Sequence, residues 1–516
     1  MAREVIRIDQ PVSSRTVARI ARGGVATELV CPPEHWEQLA RSHQRLRARI
    51  EAEGVQVYGV TTGFGEGARK SVDSQLNPDL QSNLLHYLDC SLGELAPPAV
   101  ARATLLLRII SLAQGYSAVS PALIRRLIAI HDAGYAPAIP VQGSLGASGD
   151  LIPLATIGQC IRGLGEVYGP DDRLLPAMHM LQRLELSPFE FADKDALGLV
   201  NGTSFMTALA CLALVEFGHV LDWSLHAMGA LFVALRAHPS AFSRLVNERA
   251  KSHPGQTYAA QRLRELAGFV DQDFSPQRAA GHHSQNLQDP YSIRCTPQVL
   301  GPIFEIVTQA EQVIDREVNS CNDNPLLDPD TGWIASGGNF YGGAIAMVMD
   351  QLAWAGSHLA DLQDRQILLL MHDRSNRGLP ADLTGAGDVT GADVLAHHGL
   401  KGLHQHASAL ASEIVRLAVP SSIFSRSAES HNQDKISLGT HAARNFTQQL
   451  SLLADLTTLH AACAVQALDL RHDHTPAALN VFRSSVREHV PFVDLDRPLR
   501  ADLLRLRARV VVSGPG

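Results

Sequence analysis

SFMTALACLALVEFGHVLDWSLHAMGALFVAL, residues Ser204 to Leu235, is the stretch whose reading decides the fold. It is long enough to cross a bilayer, which takes about 20 apolar residues. Glu216, His219, Asp222 and His226 interrupt it, however, at intervals that a hydrocarbon core would penalise. A helix that is apolar on most sides because other helices surround it satisfies both facts. The same period continues outward. In GPIFEIVTQAEQVIDREVNS, Gly301 to Ser320, the residues Ile303, Ile306, Val307, Ala310, Val313, Ile314 and Val318 fall at three- and four-residue spacing, with Pro302 in the first turn. Similar patterns cover 342–370, 393–417 and 437–470, each far longer than the usual helix of about 11 or 12 residues. The expectation is a mainly α chain built as a long-helix bundle. Residues 1–200 read as a separate N-terminal region of shorter helices (33–51, 98–114, 121–133) alternating with loops, and 201–516 as the bundle. The closing VVVSGPG reads as a frayed tail.

Composition narrows the class of partner. The chain has 516 residues, 45% of them hydrophobic and 19% charged, with a net charge of -8 and no basic patch. That excludes nucleic acid as the main partner, gives no polybasic membrane anchor, and leaves a small molecule as the expected ligand. The opening MAREVIRIDQPVSSRTVARIARGG carries acidic residues, Pro11 and no continuous apolar run. It resembles neither a signal nor a transit peptide, so a cytosolic location is expected. The seven cysteines, Cys31, Cys90, Cys160, Cys211, Cys295, Cys321 and Cys463, contain no CxxC pair. They read as buried thiols, and no metal site is expected.

The chemistry concentrates in GSLGASGDLIPLA, Gly143 to Ala155. One reading is a glycine turn feeding a helix, with Asp150 or Ser148 as N-cap and Pro153 in the first turn. A phosphate loop would want Lys-Ser or Lys-Thr after the glycines, whereas Gly149 is followed by Asp150, whose charge repels an anion. A third reading uses Ala147-Ser148-Gly149 itself. In a tight turn the unshielded Gly149 nitrogen can attack the Ala147 carbonyl; loss of two waters, one of them from the Ser148 side chain, leaves a methylidene-imidazolone, an electrophile made without an external cofactor.

This loop resembles the GSxGASGDLxPLA signature of the aromatic amino acid lyases, a family of histidine, phenylalanine and tyrosine ammonia-lyases and 2,3-aminomutases that carry this group, 4-methylidene-imidazol-5-one (MIO). Further motifs follow in family order. YGVTTGFG, Tyr58 to Gly65, is similar to the inner active-site loop; NGTS, from Asn201, to the segment whose Asn touches the prosthetic ring. QDPYSIRCTPQVLG, from Gln288, is similar to the stretch that supplies a second tyrosine, Tyr291, and an arginine, Arg294. NDNPL with Asn324, GGNFYG with Phe340 and NQDKISLG with Gln433 resemble three more segments. The resemblance implies MIO from Ala147, Ser148 and Gly149, Tyr58 as base, Tyr291 as a second catalytic tyrosine, and Gly65, Asn201, Gln288, Asn324, Phe340 and Gln433 around the substrate. It also implies a homotetramer whose sites draw on several subunits.

Bottom-up chemistry runs alongside. Eliminating ammonia needs a cation for the carboxylate, a base near the β-carbon and a way to make the amine leave. Arg294 can offer a carboxylate two parallel charge-assisted hydrogen bonds, although an arginine taken at random more often forms a surface ion pair. A tyrosine of pKa about 10 is a poor base at neutral pH, so Tyr58 needs neighbours that favour the phenolate, with helix N-termini and backbone amides as the expected source. Tyr58 and Tyr291 also fit as packed tyrosines with satisfied hydroxyls, Asn201 as an N-cap, and Phe340 as core. Gln433 stands where histidine-specific members tend to have Glu, which lowers the histidine reading. By alignment the substrate selector is Tyr87-Leu88, which matches neither the Phe-Leu, His-Leu nor Ser-His of the family's types; the Tyr87 hydroxyl can pair with a polar ring substituent, and His86 is expected to face away. Glu66 resembles the GYGE of bacterial tyrosine aminomutases. The reaction expected is loss of ammonia from a phenylalanine- or tyrosine-like amino acid to give an arylacrylate, with a 2,3-aminomutase as alternative, a histidine ammonia-lyase behind it, and a non-catalytic helical scaffold last.

Overall fold

The computed structural model describes residues 4–23, 27–269, 288–385, 396–472 and 475–515. Helices dominate, and the longest are Ser204–Ala234, Thr296–Val318, Gly343–Met371 and Gly439–Arg471. Ser204–Ala234 and Gly439–Arg471 are long and apolar enough to cross a membrane, yet 78% and 83% of their most apolar windows are buried inside the protein. That is the environment of core helices, which explains their all-round apolarity. The helix around Pro302 starts at Thr296, so the proline lies inside it instead of in its first turn and forgoes the bond to the Gln298 carbonyl. The segment expected from 393 becomes helical at Lys401 and ends at Arg416; residues 393–395 lie outside the described residues.

Two compact units result. One comprises Met1–Leu212, Glu311–Asp350 and Ser421–Arg444; the other Ala213–Ala310, Gln351–Pro420 and Asn445–Gly516. This interleaved division differs from a single break near residue 200. Four of the five borders fall inside the four longest helices, where no linker composition could mark them, and the fifth lies between Pro420 and Ser421. Small sheets occur only in the first unit among the described strands. Glu4–Arg7 pairs in parallel with Thr27–Val30, an antiparallel triplet joins Ala136–Pro137, Glu166–Tyr168 and Leu174–Pro176, and Leu326–Leu327 pairs with Ile334–Ala335.

Within the first unit three long helices begin side by side. A side chain at Gly342 or at Gly439 would meet the Met206 sulfur at 2.5 Å, so the first turns starting at Ser204, Gly343 and Gly439 pack without intervening bulk. Each helix start carries roughly half a positive charge. The C-terminal tail also departs from expectation. Helix Arg500–Val512 buries Val510, and the Ser513 carbonyl accepts a hydrogen bond of 2.8 Å from the Trp223 indole, which anchors the segment. Of the cysteines, Cys160, Cys211 and Cys463 are buried, Cys31, Cys295 and Cys321 are partly so, and Cys90 is exposed, contrary to the reading of all seven as buried.

Candidate active site

A cavity of about 1040 Å³ in the first unit gathers Tyr58, Gly65, Tyr87, Leu88, Ala147, Ser148, Gly149, Asn201, Asn324, Phe340 and Gln433. Its floor is the glycine loop. Gly149 has φ +71°, a left-handed value, and a β-carbon there would lie 2.0 Å from the Gly202 carbonyl oxygen. Only glycine permits that approach. The two glycines form a parallel bridge, and the Asp150 N–H donates to the Gly202 carbonyl at 2.7 Å. Ser148 is held from both sides. Asn201 Nδ2 donates to its carbonyl at 2.8 Å and Gln433 Nε2 to its hydroxyl at 3.1 Å. Asn201 is therefore a direct partner of the loop, and it stands as the C-cap of helix Asp195–Val200 instead of as an N-cap.

Asp150 occupies the N-cap position of helix Leu151–Ile161 without capping it. Its buried carboxylate instead accepts from the Met206 N–H at 2.9 Å, the Ser144 hydroxyl at 2.7 Å and the Thr440 hydroxyl. It caps the central helix Ser204–Ala234 from a distant part of the sequence and ties it to the start of Gly439–Arg471. Burial raises its pKa, and these hydrogen bonds pull the other way.

Tyr58 points into the cavity. The Gly65 N–H donates to its hydroxyl oxygen at 2.8 Å, and Phe64 packs edge-on at 6.3 Å between ring centres. The amide expected to favour the phenolate is thus present. Burial nevertheless dominates and raises the Tyr58 pKa; the Gly65 amide opposes it, and the negative charge of Glu429 adds to it. Tyr87 extends 57% exposed at the cavity wall, with Leu84 and Leu88 buried beside it. Desolvation of the Tyr87 hydroxyl, then Tyr58 and Glu429, push its pKa up to about 12, so it stays protonated and able to donate. His86 turns aside and accepts from Arg162 Nη1 at 3.0 Å. Phe340 sits on the turn Asn339–Tyr341, and the Asn324 side-chain oxygen accepts from the Gly337 N–H at 2.8 Å.

Gln288, Tyr291 and Arg294 do not line this cavity. Gln288 and Arg294 line, with Gln298, a recess of about 640 Å³ in the second unit, and Tyr291 stands in the same unit outside the lining of that recess. Tyr291 is 71% exposed, and the Arg294 guanidinium lies 4.5 Å over its ring. Arg294 Nε is buried with no hydrogen-bond partner among the described residues.

A family model for the aromatic amino acid lyases matches residues 12–488. The chain belongs to this family. The lyase is 35% identical to a tyrosine ammonia-lyase of Cereibacter sphaeroides, over 99% of this chain and 98% of the relative. A histidine ammonia-lyase of Symbiobacterium thermophilum is also 35% identical, over 99% and 97%. Among solved structures, the phenylalanine aminomutase of Pantoea agglomerans aligns with a TM-score of 0.91 at 29% identity, covering 98% of this chain and 99% of that one. A tyrosine aminomutase of Streptomyces globisporus aligns at 0.88 and 30%, covering 98% and 96%. The chain is an aromatic amino acid carbon–nitrogen lyase or aminomutase with the mainly α fold of that family.

In this lyase one cavity residue escaped sequence reasoning. Glu429 opens a tight hairpin, closed by the Ala428–Gln433 bridge, in which Glu429, Ser430 and His431 all have positive φ, at 46°, 51° and 64°. Such a run of left-handed non-glycine residues is costly and concentrates at functional sites. It carries the Glu429 carboxylate over the inner loop, where Oε1 accepts from the Glu66 N–H at 3.2 Å and Oε2 from Asn432 Nδ2 at 2.7 Å. The only sequence signal was an acid four residues ahead of Gln433. Among the described residues no group of three or more His, Cys, Asp or Glu side chains is placed to hold a metal.

Proposed function

We propose that the enzyme is an ammonia-lyase for a phenylalanine- or tyrosine-like L-amino acid, that Ala147-Ser148-Gly149 matures into MIO, and that it works as a homotetramer. The observation that carries the reading is the loop's fit to the group: a glycine-only contact at Gly149 and donors on both the Ser148 carbonyl and the Ser148 hydroxyl. The group supplies an electrophile that turns the substrate's amine into a leaving group. The chain's own residues do the rest. Tyr58, bonded among the described residues only by the Gly65 amide, is free to take the β-proton. Asn201 fixes the Ser148 carbonyl, and Glu429 gives an arriving ammonium its counter-charge. Arg294, with its unused Nε, holds the carboxylate when a second copy of the chain brings the Gln288–Arg294 segment to the cavity, and Tyr291 comes with it. Tyr87 faces the aromatic ring, and its hydroxyl favours a polar substituent there.

Gln433 in place of a carboxylate beside Ser148 disfavours an imidazole substrate. Glu66, hydrogen-bonded through its amide to Glu429, favours the 2,3-aminomutase as the second reading, because that contact steadies the inner loop over a retained arylacrylate. Incubation with phenylalanine, tyrosine and histidine, with chromatography for arylacrylates and β-amino acids, tests the proposal. Coumarate or cinnamate as main product is expected. A β-amino acid as main product selects the mutase, and turnover of histidine alone would reject the substrate assignment.

A further inference from the structure

Behind the glycine loop lies a cation that none of the chemistry above uses. Arg108, on helix Pro98–Ala113, is 0% exposed. Its Nη1 donates to the Asn201 carbonyl at 3.2 Å and to Asn322 Oδ1 at 3.4 Å, and its Nη2 to the Ser111 hydroxyl at 2.9 Å. Nε has no partner among the described residues. Every acceptor is neutral, and Asp323 and Asp150 act on it only through space. A buried guanidinium without a directly bonded carboxylate is expensive, and a well-packed apolar side chain would serve stability better. What Arg108 touches gives it a purpose.

A β-carbon at Gly202 would fall 1.9 Å from Arg108 Nη1, so the guanidinium fills the space that Gly202 leaves empty. Residues 201–203 are thus backed on one side by Arg108, and Asn322 completes the clamp by donating to the Thr203 hydroxyl at 2.7 Å. The other side of this segment receives the loop. Gly149 bridges to Gly202, Asp150 N–H bonds the Gly202 carbonyl, and Asn201 bonds the Ser148 carbonyl. A loop can be pressed into a strained turn only against a wall that does not yield.

We infer that Arg108 is a positioning residue for the self-dehydration of Ala147-Ser148-Gly149: it immobilises the 201–203 segment against which the loop closes. The inference rests on the proposed maturation of that loop. In that step the Gly149 nitrogen bonds to the Ala147 carbonyl carbon and its proton passes to the carbonyl oxygen. This oxygen leaves as water with the Ser148 amide proton, and the Ser148 hydroxyl leaves as a second water with its α-proton. No oxidant or reductant is needed. Arg108 takes no part in bond making; it raises the fraction of time the nitrogen and the carbonyl carbon spend in contact.

The test is intact-mass measurement of the full-length protein and its Arg108→Met and Arg108→Lys variants, alongside circular dichroism, kcat and KM. The wild type is expected to be lighter than its translated chain by two waters. Arg108→Met should fold but remain mostly at the unmodified mass, with kcat lowered several-fold in the same proportion and KM unchanged, since Arg108 does not line the cavity. Arg108→Lys should restore much of the matured mass. If Arg108→Met is insoluble, Arg108→Gln, which keeps an N–H donor without the charged fork, carries the same comparison. Full maturation and wild-type kcat in the neutral variant would overturn the inference while leaving the lyase reading intact. An unmodified wild-type mass would instead defeat the maturation itself.

Discussion

Replacing Tyr58 with phenylalanine separates chemistry from folding. The lost group is one hydroxyl oxygen that accepts the Gly65 N–H at 2.8 Å in a partly buried loop. Removing it costs about 1 kcal/mol of stability, and the edge-on packing against Phe64 is kept. In a chain of 516 residues that lowers the melting temperature by no more than about 2 °C. Catalysis loses far more, because a positioned base contributes about 10²–10⁴-fold. The pH profile gives a second signature. Tyr58 acts as a base only when deprotonated, and burial, countered by the Gly65 amide and reinforced by Glu429, holds its pKa above that of an ordinary tyrosine. Wild-type kcat should therefore climb with pH through the neutral range by about tenfold per unit. In the variant the residual rate should lose that climb. The assay is product absorbance across pH, with thermal denaturation as control. A kcat within a few-fold of wild type, or an unchanged profile in the variant, would refute the base assignment.

Glu429→Gln removes a negative charge that raises both Tyr58 and Tyr87. The climbing limb should move to lower pH and KM should rise as the substrate ammonium loses its counter-charge; a profile superimposable on wild type would remove Glu429 from the site. Lys194 and Asp323 form an ion pair with side chains no more than 1% exposed. Lys194→Met strands the carboxylate and should cost about 3–5 kcal/mol by urea denaturation, whereas a loss below about 1 kcal/mol would contradict a tight buried pair. Asp150→Ala abandons three donors, the Met206 N–H at the start of the central helix and the Ser144 and Thr440 hydroxyls, and should cost about 4 kcal/mol. Asp150→Asn should cost much less, since the Ser144 and Thr440 hydroxyls can turn to accept; equal losses in the two variants would show that the carboxylate's bonds are not what matters.

Sequence patterns carried the long helices because a 3.6-residue period repeated over many turns is hard to produce otherwise. The failures share a cause, which is that the deciding partner lies far along the chain. Asp150 looks like the cap of the helix it precedes, but its partner, Met206, is 56 residues away. The Val510–Gly516 tail looks apolar and unanchored until Trp223 supplies a donor. The border read near residue 200 differs from the interleaved units, four of whose five borders fall inside continuous helices. At the site, the motifs named residues that a cavity of the first unit gathers, and also Gln288, Tyr291 and Arg294, which belong to the second unit. Glu429 and Arg108 had no motif at all. One depends on a hairpin of three left-handed residues, the other on the space left by a single glycine.

The most direct test of the account is the mass of the purified wild-type chain set against that of Ser148→Ala. The account predicts a wild-type deficit of two waters, together with an absorbance that the Ser148→Ala protein lacks. A wild-type chain at its full translated mass, with a spectrum matching that of the variant, would contradict it.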